Sequence, residues 1–277
     1  MAPTRLINTE TLKVTGFRER DALQDRYAIL SHRWREEEVT FNDLDADRDL
    51  SHKRGYHKLK RFCETARQLH YEWAWLDTCC IDKSSTTELA EAMRSMYRWY
   101  EDSSICLAYL DDVEHDHKAL FESEWFDRGW TLQELIAPNE MSFYDSDWKH
   151  LGTKSDLLET LCSTSKVPIS VLDHSAKLST FSIAQRMSWA ANRITERVED
   201  RAYSLMGILE TYVSMQYSER EQAFIRLQVA IISRSPDHTP LLRGHLTTKA
   251  IRMATPDGSR PPQSLLLAVT VLSRLGR

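Results

Sequence analysis

Glycine and proline are scarce, with eight of each in 277 residues. That is too few for a chain dominated by disorder or linkers. No long apolar run occurs either. The stretch Leu265–Leu272 is far too short to span a bilayer, and the polar opening Met1–Glu10 holds no apolar segment. Neither a membrane span nor a secretory signal is therefore expected. Positive charge is not in excess: 36 Lys and Arg stand against 41 Asp and Glu, a net charge of −5 with a pI near 6.1. This excludes the electrostatic footprint of a nucleic-acid binder. Lys58, Lys60 and Arg61 cluster locally and read as a solvated helix face. Cysteine is sparse and odd in number, at positions 63, 79, 80, 106 and 162, without a CxxC pair. A disulfide framework or zinc site is not expected, and free thiols in a reducing compartment, the cytoplasm, are. A phosphate-cradling glycine loop is also missing.

What is present alternates between strand and helix. Tyr27-Ala-Ile-Leu30 is an apolar run that opens into Ser31-His-Arg-Trp34. Trp73–Leu76, Ile105–Leu110 and Met141–Tyr144 are further candidate strands, the first of these ending on Asp77 and the next on Asp111 with Asp112. Between them, Tyr56, Leu59, Phe62, Cys63, Ala66 and Leu69 recur at helical spacing, as do Leu89, Met93, Met96, Tyr97 and Tyr100. Ser85 followed by Glu88 predicts a capping box at the start of the second of these helices. Trp130–Ala137 predicts a helix stopped by Pro138. Such alternation predicts an α/β fold with a mainly parallel sheet flanked by helices. Beyond about Leu151 the pattern is helical, over Ser182–Ala191, Glu199–Leu209 and Glu219–Ser233. The expected divisions are a lead-in over 1–26, one domain over 27–236 (sheet-bearing over about 27–150, helical over about 151–236), and a tail or linker over 237–277.

In an open parallel sheet, ligands bind outside the carboxyl ends of the strands. Ser31, His32, Arg33, Asp77, Asp111 and Asp112 gather there on the strand assignments alone, with ordinary loop polarity as the alternative. His32 could act as a general base, but a lone histidine beside an arginine is more often structural. His115 and His117 are spaced like metal ligands without an evident third, so no metal site is expected. Cys79 and Cys80 read as small buried hydrophobes, and Glu199 as a helix-start acid favoured by the macrodipole.

Several longer motifs resemble the fungal heterokaryon-incompatibility (HET) domain. They are Tyr27-Ala-Ile-Leu-Ser-His-Arg-Trp34, Trp75-Leu-Asp-Thr-Cys-Cys-Ile-Asp-Lys83 and Arg128-Gly-Trp-Thr-Leu-Gln-Glu-Leu-Ile-Ala-Pro138, followed by Arg186–Ala191, Thr195–Leu205 and Ala223–Gln228. The resemblance covers about Tyr27 to Pro236. Relatives often carry Gly-Glu-Gly before the last helix, where this chain has Ser218-Glu-Arg220. More distantly, Tyr27–Trp34 and Trp130-Thr-Leu-Gln-Glu-Leu135 are similar to two boxes of the Toll/interleukin-1 receptor (TIR) domain, a flavodoxin-like sheet.

That second resemblance implies a catalytic role for Glu134, the position of the glutamate in NAD-cleaving TIR domains. Nicotinamide–ribose cleavage passes through an oxocarbenium-like state, which a carboxylate stabilises. The leaving group is already cationic, so one carboxylate suffices. Ser31, Arg33, Trp34, Asp77 and Trp130 are the expected substrate-binding companions, with Arg33 facing pyrophosphate and a tryptophan stacking on a ring. The bland alternatives are an exposed structural glutamate, core tryptophans and an ion-paired arginine. The resemblances imply a cell-death effector of fungal non-self recognition with no cofactor, NAD being a substrate. Self-association is expected, with an upstream receptor or incompatibility partner. The alternative is a non-enzymatic death-signalling module that works by assembly.

Overall fold

The computed structural model describes residues 3–17, 26–45, 49–114 and 119–234. Its sheet has seven strands: β1 (Arg5–Asn8), β2 (Val14–Gly16), β3 (Tyr27–His32), β4 (Trp73–Trp75), β5 (Ile105–Tyr109), β6 (Met141–Tyr144) and β7 (His150–Thr153). They lie in the order β2-β1-β4-β3-β5-β6-β7. The four strands expected from sequence form its centre, β4-β3-β5-β6, and all three pairings among them are parallel. The edges are antiparallel, with β2 on β1, β1 on β4, and β7 on β6. A mainly parallel sheet is thus the centre of a mixed one. The added strands have three or four residues each, too short for alternation to reveal them. β1 and β2 fall before Tyr27 and complete one edge.

Strand β3 is buried at all six positions, as expected for a strand covered on both faces by helices. The chain connects β3 to β4 on one side, then passes back across β3 to reach β5. The parallel strands therefore take the doubly wound, flavodoxin-like order, and the connection reverses direction beside β3. Helices α1 (Phe41–Asp45) and α2 (Arg54–Gln68) join β3 to β4. α3 (Asp77–Cys80) and α4 (Thr86–Glu101) join β4 to β5, and α5 (Thr131–Ile136) precedes β6. α6 (Leu158–Ser165) and α7 (Ile169–Leu172) follow β7. Large side chains fill the core on both faces, among them Phe62, Trp75, Tyr100, Trp125 and Phe143. All five cysteines are free, and four are buried.

At the start of α4 the capping box forms only in half. Ser85 accepts the Glu88 amide at 3.3 Å, but the Glu88 carboxylate turns away. It accepts the amide of Asp82 at 2.9 Å and pairs with Arg5. A reciprocal box exists instead between Ser182 and Gln185.

The chain divides into two units, Met1–Phe126 with Gln133–His174 and Asp127–Leu132 with Ser175–Arg277. In the second lie α8 (Ile183–Ser188), α9 (Asp200–Tyr203) and α10 (Gln222–Arg234). α8 and α10 fall where helical spacing put them. The helix expected over Glu199–Leu209 is only the single turn α9. It continues as irregular turns through Gly207, a poor helix former, to Glu210 at φ 53°. The expected tail over 237–277 and the pair His115 and His117 lie outside the described residues.

Within this second unit the loop before α10 holds Ser218-Glu-Arg220, where the family resemblance implies a glycine-containing stretch. Ser218 has φ 146° and Arg220 φ 51°, both in the region that favours glycine. Glu199 holds them there. One carboxylate oxygen accepts the Ser218 amide at 2.9 Å and the Arg220 amide at 3.0 Å. Burial works against charge on Glu199, yet these backbone hydrogen bonds bring its pKa below the usual range. The loop keeps its shape without the glycines, at a cost in backbone strain. Ser218→Gly is therefore expected to stabilise the protein by about 1 kcal/mol, read as a rise in the midpoint of a urea titration followed by circular dichroism. An unchanged or lowered midpoint would contradict strain at Ser218.

Candidate functional site

Successive residues of a strand point to opposite faces, so Ser31 and His32 at the end of β3 begin two different clusters. On the first face, Ser31 accepts the indole N–H of Trp125 at 2.9 Å and donates to the Glu134 carboxylate at 2.5 Å. Ser31 is fully buried and Glu134 only 7% exposed. Tyr100 closes the other side of this network. Burial and then the adjacent Glu134 charge push its pKa well above the usual value, so its hydroxyl stays protonated. It donates to the Leu30 carbonyl at 2.9 Å.

Arg33 lies two residues on, on the same face. It pairs with Asp112 at 3.1 Å and with Glu124. Asp112 also accepts the Ser123 hydroxyl at 2.6 Å and the Glu124 amide at 2.9 Å. The Arg33–Asp112 pair thus orders the turn that delivers Trp125 to Ser31. Lys154 secures the far end of α5, donating to the carbonyls of Pro138 at 2.8 Å and Ile136 at 3.4 Å. Its pKa is lowered to about 8 by burial. A lysine at a helix C-terminus suits both the free carbonyls and the macrodipole.

On the second face, His32 sits between two partners. Its Nε2 is 3.0 Å from Asp77 and its Nδ1 is 2.7 Å from the Lys58 ammonium. An ammonium has no lone pair, so Nδ1 accepts from Lys58 and Nε2–H donates to Asp77. Lys58 also pairs with Glu38, giving a hydrogen-bonded chain from the Asp77 carboxylate through the His32 imidazole and the Lys58 ammonium to the Glu38 carboxylate. Trp34 donates its indole N–H to the second Asp77 oxygen at 2.8 Å, and the Lys83 ammonium lies 3.3 Å from the centre of the Trp34 ring. Burial opposes charge on Asp77, yet His32, Lys83 and Trp34 together bring its pKa down to about 2. Gly55 makes the arrangement feasible. A Cβ there would stand 2.8 Å from backbone atoms of Glu37, Glu38 and Val39, so only glycine lets α2 approach the segment carrying Glu38.

The residues singled out from sequence therefore divide. Ser31 and Glu134 meet directly, and Arg33 supports them at the rim. Trp34 and Asp77 meet each other on the opposite face of β3, and Trp34 is the most exposed of them at 40%. Trp130 belongs to the second unit, where its indole hydrogen-bonds Asp200, as does the Tyr217 hydroxyl at 3.0 Å. His32 was read as structural, and it links both halves of the Asp77–Glu38 chain. Trp125, Tyr100, Lys58 and Glu38 were not anticipated. A polar residue at the end of an all-buried strand was the available signal, because it must find partners.

A family model described as heterokaryon incompatibility protein (HET) matches residues 27–118. The vegetative incompatibility protein HET-E-1 of Podospora anserina is 41% identical over 218 residues, which is 74% of this chain. The chain spans about 16% of the length of that curated relative. No solved structure matches it. Among the described residues, no helix is long and apolar enough to cross a membrane.

The lowered pKa of Asp77 sets a pH dependence. Its folded value lies below the unfolded one, so its contribution to stability is present above about pH 4 and is lost as pH falls towards 2. The shift from 3.8 to about 2 corresponds to about 2 kcal/mol, and the side chain is only 19% exposed. Asp77→Asn is expected to melt below wild type at pH 6, with the gap narrowing as pH drops from 5 to 3. A gap that stays constant over that range would show that the charge of Asp77 is not what stabilises the cluster.

Proposed function

The chain carries a heterokaryon-incompatibility (HET) domain, and from that premise we propose that it is a cytoplasmic cell-death effector of fungal non-self recognition that cleaves NAD on self-association. One observation carries the enzymatic part. Ser31 and Glu134, 103 positions apart in the chain, come from the two TIR-like boxes and share a 2.5 Å hydrogen bond at the carboxyl end of the sheet. This is where a doubly wound sheet binds its ligands, beside the strand at which the connections reverse.

The chemistry asked of Glu134 is electrostatic. Its carboxylate would face the ribose as positive charge develops at the anomeric carbon, while nicotinamide leaves as a neutral base. Ser31 orients the carboxylate, Trp125 fixes Ser31, and the Lys154 contacts hold the helix that presents it. Water then takes the place of nicotinamide at the anomeric carbon, giving ADP-ribose and one proton.

The depth of Glu134 favours a second reading. At 7% exposure and already hydrogen-bonded, it satisfies the rule for a buried structural carboxylate. On that reading the domain signals death through assembly with copies of itself or with an upstream incompatibility partner, and it needs no catalysis.

Concentrated purified protein incubated with NAD, followed by chromatography for free nicotinamide, separates the two. Cleavage is expected, and Glu134→Gln is expected to lower the rate by ~10²–10³ and to abolish killing in a fungal host. Thermal melts check that the variant stays folded, since Gln preserves shape while removing charge. If wild type leaves NAD intact and Glu134→Gln still kills, the assembly reading replaces the enzyme.

A further inference from the structure

A cleft of about 390 Å³ opens beside α2, on the His32 face of the sheet. It is built separately from the Ser31–Glu134 network. Tyr109, which forms one wall, is the register partner of His32 in the parallel ladder, and directly paired residues share a face. Glu134 meets Ser31 on the other face.

Four lining residues come from α2: Arg54, His57, Lys58 and Arg61. Their spacing, i, i+3, i+4 and i+7, places them on one stripe. Like charges so arranged repel one another, and Lys58 is answered closely within the fold, by Glu38. Arg61 reaches the Asp147 carbonyl at 3.4 Å and Glu64 at 3.5 Å, with its side chain 53% exposed. Among the described residues, the side chains of Arg54 and His57 make no hydrogen bond or ion pair. Asp147 is the one acid among the lining residues. The stripe begins at the N-terminus of α2, whose dipole adds to the positive potential.

The facing wall is aromatic. Tyr109 stacks on Trp148, with ring centres 4.7 Å apart and planes at 15°, and Phe62 backs Trp148 at 6.4 Å. This wall is rigid, because Trp148 is packed from two sides and the Tyr109 hydroxyl is tied to the Ser146 carbonyl at 3.1 Å. A cleft with the unpaired Arg54 guanidinium and the half-exposed, loosely held Arg61 on one side and a fixed aromatic surface on the other matches an anion that carries a flat ring. Its volume suits a single mononucleotide. A nucleic-acid polymer is disfavoured by the net charge of −5.

We propose that this cleft binds an organic phosphate of nucleotide size, with the phosphates on Arg54 and Arg61 beside His57 and the ring against Tyr109 and Trp148. Isothermal titration calorimetry of the whole chain with ADP, and in parallel with inorganic phosphate, tests it. ADP is expected to bind more tightly than phosphate, and the affinity to fall with added salt. Arg54→Glu and Arg61→Glu should each weaken ADP by about tenfold or more. Tyr109→Leu should weaken ADP while leaving phosphate unchanged. Circular dichroism melts confirm folding, and Arg54→Gln, which adds no negative charge, serves as the second variant at that position. No heat with ADP at millimolar concentration and low salt overturns the proposal. So do ADP binding that both arginine variants leave intact, phosphate binding as tight as ADP, and a preference for single-stranded RNA over ADP.

Discussion

Burying Ser31 and His32 at the end of a strand with no exposed residue obliges the fold to supply hydrogen-bond partners on both sides of the sheet. An unpaired buried polar group costs ~1–3 kcal/mol, and adjacent strand residues face opposite ways. Two networks result. Trp125, Glu134 and Tyr100 close around Ser31, while Asp77 and Lys58 close around His32. Each draws on helices or turns far away in sequence. α5 on one side and α2 on the other are thereby positioned against the carboxyl end of β3.

The two networks use charge differently. Around His32 a carboxylate, an imidazole, an ammonium and a second carboxylate follow one another, so each buried charge has a neighbour of opposite sign or a hydrogen-bonding ring. Removing one member would leave the next unpaired in a poorly solvated site. Around Ser31 the Glu134 carboxylate is met by a hydroxyl, with Tyr100 kept protonated beside it. Arg33, at the rim of that face, is spent on Asp112 and Glu124.

Ser218 and Arg220 occupy glycine-like backbone conformations under the hold of Glu199. The fold of that loop is therefore imposed by one carboxylate accepting two amides, and not by backbone freedom. This also gives Glu199 a role beyond complementing a helix dipole, since α9 is one turn long.

Local pattern alone determined a good deal. The four central strands follow from apolar runs ended by polar residues, α2 and α4 from their stripes, and the family from ordered motifs. Ser31 and Glu134 both lie in motifs legible in the sequence. What local pattern could not determine is pairing across the chain. Antiparallel edges of three or four residues leave no periodicity to read, and Glu88 chose Asp82 and Arg5 over the reciprocal cap because those partners arrive only with the tertiary fold. Likewise, Trp34 and Asp77 stand apart from Ser31 because a strand sends neighbouring side chains to opposite faces. Which helix waits on each face is decided by the order in which the strands assemble. Lys58 looked like part of a solvated basic face. The tertiary structure buried it against His32 and Glu38, because only the approach of α2 at Gly55 brings those three together.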